Sequence, residues 1–155
     1  MKKLEEFKIT ERIKKKILIG LMEQDYYGIS CIFIPLTSDV GVKLYPRKYD
    51  RDYSLKWQKR LYRDDLTPKV GNPFIFVFEW PAYKDGLIFK ELKLFGFFTQ
   101  RANTDFENKG LMVKKLRKIA SDKGFFWGDS HLGNIGMIGK KLVIIDTDPC
   151  SIGID

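Results

Sequence analysis

The chain has 155 residues, of which 44% are hydrophobic, and its formal net charge is +8. This length fits one domain with a substantial core, and no apolar run approaches the ~20 residues of a membrane-spanning helix. The N-terminal residues are charged and lack the hydrophobic stretch of a signal peptide, which favours a cytoplasmic location without membrane contact. Cys31 and Cys150 are far apart and not in a metal-binding spacing, as expected in a reducing compartment.

The positive charge raises the question of nucleic-acid binding. Basic residues concentrate in four stretches, at residues 2–3, 14–16, 47–63 and 114–118. Such a surface attracts phosphate backbones. Acidic residues are interleaved through most of these stretches, no nucleic-acid motif is present, and positive potential also suits a site for a nucleotide. Nucleic-acid binding is therefore the less favoured interpretation.

The first half of the chain predicts strands followed by a helix. Residues 3–16 alternate charged and apolar side chains and fit either a short helix or a first strand. Residues 16–20 and 28–34 predict two strands, and residues 40–45 predict a third. Residues 50–62 have the apolar spacing of an amphipathic helix, and Pro68 marks its end.

The second half continues with two aromatic-rich strands, at residues 74–80 and 87–98, around a turn. Residues 107–123 predict a helix with Gly124 as its C-terminal cap. A loop and a terminal hairpin follow. The whole order indicates an α+β fold.

The segment WGDSHLGN, from Trp127 to Asn134, carries the clearest chemical signal. A hairpin follows it, and the apolar strand at residues 142–145 delivers Asp146. Gly, Asp and Asn are common in turns, so each alone means little. Together they predict that Asp129 acts as a base towards a hydroxyl, and that Asn134 and Asp146 bind Mg²⁺, which takes its remaining ligands from water and phosphates. The chemistry indicated is phosphoryl transfer.

These residues resemble the catalytic and metal-binding loops of the protein-kinase-like superfamily. The resemblance is closest to its aminoglycoside-phosphotransferase and RIO-like branch, whose pattern is roughly HGDxHxxN…IDxD. It implies that Asp129 is the catalytic base, that Asn134 and Asp146 are metal ligands, and that His131 supports the loop. Trp127 replaces the first histidine of the pattern.

The resemblance also implies a fold and two cofactors, ATP and Mg²⁺. The expected architecture is an antiparallel five-stranded amino-terminal lobe with one helix, at residues 1–100. A truncated carboxy-terminal lobe of one long helix, catalytic loop and β-hairpin is expected at residues 101–155.

Further positions correspond to the nucleotide site of the family. Lys43 matches the strand lysine that contacts the nucleotide phosphates. The family's helix glutamate that orients this lysine is missing, and Gln58 is the nearest polar substitute. Thr99, Gln100 and Arg101 fall where the hinge would contact adenine, although an aromatic strand that fills the core explains this stretch equally well. The glycine-rich loop is poor, since acidic residues stand between Gly20 and Gly28.

The chain ends soon after Asp146, where the family continues into further helices. We therefore expect exposed apolar surface around Leu111, Leu116, Phe125 and Phe126, covered by a protein partner or by a second copy in a homodimer.

The sequence leaves three hypotheses. The first is a minimal kinase-like phosphotransferase that acts on an unidentified protein or small-molecule hydroxyl. The second is a catalytically inactive kinase-like protein that regulates or inhibits a partner. The third is a small basic nucleic-acid-binding domain, whose binding would weaken steeply with salt.

Overall fold

The computed structural model describes residues 2–24, 31–83, 85–128, 130–149 and 151–154. This part of the chain forms three α-helices, eight β-strands and two short 3-10 turns. The helices are α1 (Glu11–Glu23), α2 (Lys48–Tyr62) and α3 (Lys109–Asp122). The strands are β1 (Ile32–Pro35), β2 (Val40–Tyr45), β3 (Val70–Tyr83), β4 (Leu87–Gln100), β5 (Phe125–Trp127), β6 (Ile135–Ile138), β7 (Lys141–Ile144) and β8 (Ile152–Ile154). None of these helices is long and apolar enough to cross a membrane.

The main sheet has four antiparallel strands in the order β1-β2-β4-β3, where five were expected. The missing strand is residues 16–20, which lie within α1. Thr10 Oγ1 accepts a hydrogen bond from Ile13 N at 3.3 Å and caps this helix. Ile13, Ile17 and Leu21 are buried, and this spacing of four residues is that of a helix. The short apolar run alone did not distinguish a strand from one face of a helix.

Helix α1 contributes to the first of two hydrophobic cores. This core joins the inner face of α1 to one face of the main sheet, with fully buried side chains such as Val42, Leu44 and Phe98. Two helices, α1 and α2, therefore accompany the first 100 residues, where one was expected.

Helix α2 follows β2 and begins two residues before the predicted start. Its buried side chains include Ser54, Gln58 and Leu61, at the spacing of one helix face. Two of these three are polar, which requires partners in the protein interior. Helix α2 ends at Tyr62, several residues before Pro68.

The second core lies among α2, α3 and the short strands near the C-terminus. It contains Trp57 and Leu61 from α2, together with Leu116 from α3. Gly124 has φ +83°, the left-handed conformation of a helix C-terminal cap, as predicted.

Part of the expected exposed apolar surface is buried in this second core. Leu116 and Phe125 are only 1% and 5% exposed, so their predicted exposure is wrong. They face the second core because α3 and β5 pack against α2. Leu111 and Phe126 are exposed, at 67% and 54%.

The predicted hairpin is formed by β6 and β7, with Gly139 (φ +61°) in its turn. Backbone hydrogen bonds attach the end of β7 to the loop after α2 and to the turn that precedes β6. Ile144 N donates to Leu66 O at 2.7 Å, and Ile145 N donates to Asn134 O at 3.0 Å. The hairpin thereby brings Asp146 back beside Asn134.

Candidate functional site

A cleft of about 410 Å³ lies between the main sheet and the β6–β7 hairpin. Side chains far apart in the sequence line it: Cys31, Phe33 and Lys43 from the sheet, Thr99 and Gln100 from the end of β4, and Asn134, Asp146 and Asp148 from the C-terminal loops. Five of the residues predicted from sequence therefore meet in one place. The volume is in the ordinary range for small-molecule pockets.

Lys43 is 8% exposed, although it carries a charge. Its Nζ donates to Gln58 Oε1 at 3.1 Å and to Ile145 O at 2.6 Å. The ring of Phe97 lies 5.8 Å from the same atom. An ammonium group has three donors, and no carboxylate of the described residues lies within ion-pair distance of it. Lys43 is therefore a buried cation held by neutral oxygens, with capacity for an anion.

Gln58 has both ends of its amide engaged. Its Nε2 donates to Pro68 O at 3.0 Å and to Thr99 Oγ1 at 2.8 Å, while its Oε1 accepts from Lys43. These contacts define the orientation of the amide, because only the nitrogen end can donate. Gln58 thus connects helix α2 to β2 and to the end of β4.

Asp146 and Asp148 place two carboxylates beside the cleft. Asp146 accepts from the Asp148 backbone N at 2.9 Å and from Ser151 Oγ at 3.1 Å. Burial, followed by the negative charge of Asp146, raises the pKa of Asp148 to about 6. A bound cation near this pair would relieve the repulsion. Among the described residues, no group of three or more His, Cys, Asp or Glu side chains is arranged to hold a metal ion.

A buried hydroxyl network holds the loop that carries Asp148. The Tyr45 hydroxyl donates to Asp148 Oδ1 at 2.6 Å and lies 2.8 Å from Ser54 Oγ. Ser54 Oγ lies 2.8 Å from Thr147 Oγ1, which donates to Ser54 O at 2.9 Å.

Sequence reasoning missed Tyr45, Ser54, Thr147 and Asp148. Asp148 matches the second aspartate of the IDxD pattern, and two further signals pointed to Tyr45 and Ser54. Tyr45 is two residues after Lys43, on the same face of β2, and Ser54 is four residues before Gln58, on the same face of α2.

Asn134 lines the cleft and is buried, at the end of a 3-10 turn that spans Leu132–Asn134. His131 is exposed and precedes this turn, where its Nδ1 accepts from Gly133 N at 3.0 Å. The side chain of His131 thus contacts the backbone of the loop at Gly133, and support of this loop is the role predicted for it. Asp129, the predicted base, lies outside the described residues.

The residues on both sides of Asp129 are anchored to the protein. Gly128 N donates to Ser151 O at 2.8 Å. Arg117 Nε, on α3, donates to Ser130 Oγ at 3.0 Å. Ser151 also donates a hydrogen bond to Asp146, so Ser151 connects Gly128 to a carboxylate that lines the cleft.

Of the three residues predicted to form the hinge, two line the cleft and the third, Arg101, does not. Thr99 and Gln100 line it. Arg101 points elsewhere: its Nη1 donates to Thr37 O at 2.6 Å and its backbone N donates to Asp39 O at 2.8 Å. The backbone N of Gln100 is also used, in a 2.9 Å bond to Lys69 O.

Ala102, which follows, also lines the cleft. Within the described residues, its backbone N–H and C=O make no hydrogen bond. Both groups are therefore available to a bound molecule. Its Cβ lies where a side chain on Gly136 would be, only 2.6 Å from the ideal Cβ position of that glycine.

The sheet side of the cleft is formed around Phe33. The ring of Phe33 covers Gly41 so closely that a Cβ on Gly41 would lie 2.4 Å from its Cζ. Cys31 lies nearby, and burial raises the pKa of its thiol to about 12, so that it stays protonated at neutral pH. The part of the sheet side formed by Cys31 and Phe33 is thus uncharged, and Lys43 supplies the positive charge on that side. Gly28, expected near the phosphates, is outside the described residues.

Comparison with known proteins gives little independent information. No protein-family model matches the sequence. No curated protein matches it either. The structure of the Legionella pneumophila Lpg2603 kinase bound to IP6 is similar to this chain with a TM-score of 0.44 and 14% identity, over 85% of this chain and 50% of that one. This chain thus spans about half the length of that kinase. A TM-score of 0.44 does not establish a common fold, so the function is inferred from the cleft itself.

Proposed function

We propose that this protein is an ATP- and Mg²⁺-dependent phosphotransferase of a minimal kinase-like type, which transfers a phosphoryl group to a hydroxyl of a protein or a small molecule. The observation that carries the proposal is the convergence of Lys43, Asn134 and Asp146 on one cleft from three separate parts of the chain. A buried cation beside amide and carboxylate oxygens is the combination that a metal–nucleotide complex requires.

In this proposal Lys43 binds the nucleotide phosphates. Its remaining donor provides a compact positive charge, and Gln58 and Ile145 O fix its position. As the phosphoryl group departs, Lys43 stabilises the negative charge that develops on the phosphate oxygens.

The adenine edge would meet the end of β4 and the residue after it. The proposal is supported by Thr99 and Gln100, which line this part of the cleft. The N–H and C=O of Ala102 add one donor and one acceptor on the same segment. An adenine edge carries one acceptor and one donor that can pair with them. Phe33 provides an apolar wall for the ring.

Asn134 and Asp146 would hold Mg²⁺, and Asp148 adds negative charge beside them. Mg²⁺ accepts one or two carboxylates and completes its shell with water and phosphate oxygens, so the small number of protein ligands fits. When bound, the ion neutralises charge on the phosphates. The contacts that Ser151 and Tyr45 make to the two carboxylates keep them oriented.

Asp129 is the proposed base that orients and deprotonates the acceptor hydroxyl. Its chain neighbours are bonded to the rest of the protein, Gly128 through its N–H to Ser151 O and Ser130 through its hydroxyl to Arg117.

Two lobes would then face each other across the cleft, at residues 1–100 and 101–155. The two hydrophobic cores support this division, because the first contains only residues from Phe7 to Phe98. The second takes most of its members from residues after 112.

An inactive, regulatory kinase-like protein is the alternative. It is favoured by the neutral contact between Lys43 and Gln58, because an amide orients a lysine less strongly than the family's glutamate does. Such a protein would bind nucleotide without turning it over.

The test is a titration of Mg²⁺-ATP against the wild type, Asp146→Ala and Asp129→Ala, with thermal stability and ATP turnover measured on the same samples. We expect saturating nucleotide to raise the melting temperature of the wild type by about 5–10 °C when Mg²⁺ is present. Asp146→Ala should lose this shift. Asp129→Ala should keep it and lose turnover.

Glu91→Ala is the matched control, because Glu91 is an exposed acid in the middle of β4 and neither it nor its chain neighbours line the cleft. It should behave as the wild type. A melting-temperature shift in the wild type without any ATP turnover would favour the regulatory alternative, and no response to nucleotide in the wild type would refute both.

A further inference from the structure

A second groove, of about 810 Å³, lies on the outer side of α2, against the turn between α3 and β5. We call it the basic groove. Five cationic side chains line it: Lys56, Lys59, Arg60, Arg63 and Lys123. The lining contains one acid, Asp52, which already pairs with Lys48 at 2.6 Å and with Arg51 at 2.7 Å.

Most of these cations lack an acidic partner. Arg60 pairs with Asp64 at 2.6 Å. Lys56, Lys59, Arg63 and Lys123 have no ion pair with any described residue. Cations near the C-terminus of a helix are favoured by its dipole, which accounts for Lys59 and Arg60 in the last turn of α2. It does not account for Lys56, which lies farther from that end.

The floor of the basic groove is apolar. Leu55 is half-buried there, while Trp57 and Phe125 are 9% and 5% exposed. The guanidinium of Arg60 lies 5.1 Å from the centre of the Phe125 ring. The aromatic faces are therefore mostly covered, which is unlike the open stacking surfaces that bind single-stranded nucleic acids. A small polyphosphate would use the cations and leave the apolar floor without a partner.

We infer that the basic groove docks an acidic segment of a partner protein, in which carboxylates contact the lysines and arginines and an apolar side chain covers Leu55. The four cations without an ion pair favour a partner with negative charge, and the apolar floor between them favours a partner that also has an apolar side chain. This inference is independent of the proposed function, because none of the groove residues lines the nucleotide cleft.

The position of the basic groove makes simultaneous binding possible. Lys56 and Lys59 are exposed on α2, whereas Gln58 is buried and points towards Lys43. A peptide in the basic groove should therefore bind equally well with and without Mg²⁺-ATP.

The experiment measures fluorescence anisotropy of a fluorescein-labelled peptide of glutamates interrupted by leucines. We expect Lys56→Gln/Lys59→Gln to weaken its binding about tenfold, through two lost charge contacts. Lys114→Gln/Lys115→Gln is the matched control, since it removes the same charge from an exposed part of α3 outside the groove. It should change the affinity less than twofold. A peptide with serines in place of the leucines should bind more weakly than the original.

Several results would overturn the inference. An equal loss in both double variants would indicate non-specific attraction to a basic protein. Tighter binding of an oligothymidylate or of inorganic polyphosphate than of the peptide would assign the groove to a different ligand. Displacement of the peptide by Mg²⁺-ATP would place it in the nucleotide cleft. Self-association that the groove variant abolishes, measured by sedimentation, would identify a second copy of this chain as the occupant.

Discussion

Gly41 and Phe33 show how a single residue shapes the cleft. Gly41 pairs with Pro35 and Phe33 pairs with Lys43, so the two are diagonal neighbours across the β1–β2 pair. The Phe33 ring occupies the space that any side chain on Gly41 would need. The close approach of the ring, and not a left-handed backbone conformation, is what requires glycine here, since Gly41 is not among the glycines with a positive φ. Phe33 can therefore lie flat against the sheet and leave the cleft open.

Substitution of Gly41 by alanine should close part of the cleft. The new Cβ would lie 2.4 Å from Phe33 Cζ and 3.0 Å from the Ile34 carbonyl oxygen, so the ring has to move. We expect Gly41→Ala to lose the Mg²⁺-ATP-dependent rise in melting temperature. The double variant Gly41→Ala/Phe33→Ala should recover it at least in part, because removal of the ring relieves the clash.

Gly110→Ala provides the control for Gly41→Ala. A Cβ at Gly110 meets no atom within 4 Å, and alanine is the better helix former in α3. The interpretation fails if Gly41→Ala binds nucleotide as the wild type does, or if removal of Phe33 has no effect in the alanine background.

At the scale of elements, α2 is the helix that organises the cleft. Its inner face is polar where it meets the sheet, with Gln58 bonded to Lys43 and Thr99, and Ser54 bonded to Thr147. Buried polar groups need partners, so these contacts fix α2 relative to both the sheet and the Asp146 loop. A sequence pattern that counts only apolar residues finds this helix but assigns no function to its polar face.

The family resemblance suggests that a glutamate at position 58 would suit the site, but the contacts of Gln58 predict that Gln58→Glu destabilises the protein. Gln58→Glu would restore the acid beside Lys43. It would also remove the two N–H donors to Pro68 O and Thr99 Oγ1, and place a carboxylate oxygen against the Pro68 carbonyl. We expect the variant to lower the free energy of unfolding by roughly 1–3 kcal/mol, the cost of unsatisfied buried acceptors.

Urea denaturation of Gln58→Glu and of Lys56→Glu would test this. Lys56 is exposed on the same helix and precedes its last turn, so its substitution should change stability by less than about 0.5 kcal/mol. A Gln58→Glu protein as stable as the wild type would show that an ion pair with Lys43 compensates for the lost hydrogen bonds.

For the whole molecule, α2 connects the two hydrophobic cores. It contributes Trp57 and Leu61 to the second core, while its Gln58 is bonded to the end of β4 in the sheet that covers the first. The cleft lies where these two parts meet. Its geometry therefore depends on both cores being folded at the same time.

We expect both cores to unfold in one cooperative transition. Leu61→Ala, in the second core, and Leu94→Ala, in the first, should each destabilise the protein by about 2–5 kcal/mol, because both side chains are at most 1% exposed. Each variant should shift tryptophan fluorescence and far-UV circular dichroism to the same lower urea concentration. Leu111→Ala, at an exposed position of α3, should shift neither. Two separate transitions in either core variant would show that the cores fold independently.

The sequence predicted most elements because local patterns determine them. The helical spacing of residues 50–62, the glycine that ends α3 and the alternating aromatic strands all depend on neighbours a few residues apart. Residues 16–20 were wrongly predicted as a strand because their conformation depends on tertiary packing and not on the local pattern. A four-residue apolar run is compatible with either period, and only the packing of Ile17 and Leu21 against the sheet makes it a helix.

The sequence by itself predicted most of the elements in their order, because those depend on local spacing. With the family resemblance it also predicted that Lys43, Asn134 and Asp146 belong to one site. Tertiary structure alone decided which groups meet: the amide of Gln58 at the lysine, the pairing of Tyr45 with Asp148, and the turn of Arg101 away from the cleft. These contacts join residues up to 103 positions apart. No local pattern encodes them, since they follow from how α2, the main sheet and the β6–β7 hairpin pack together.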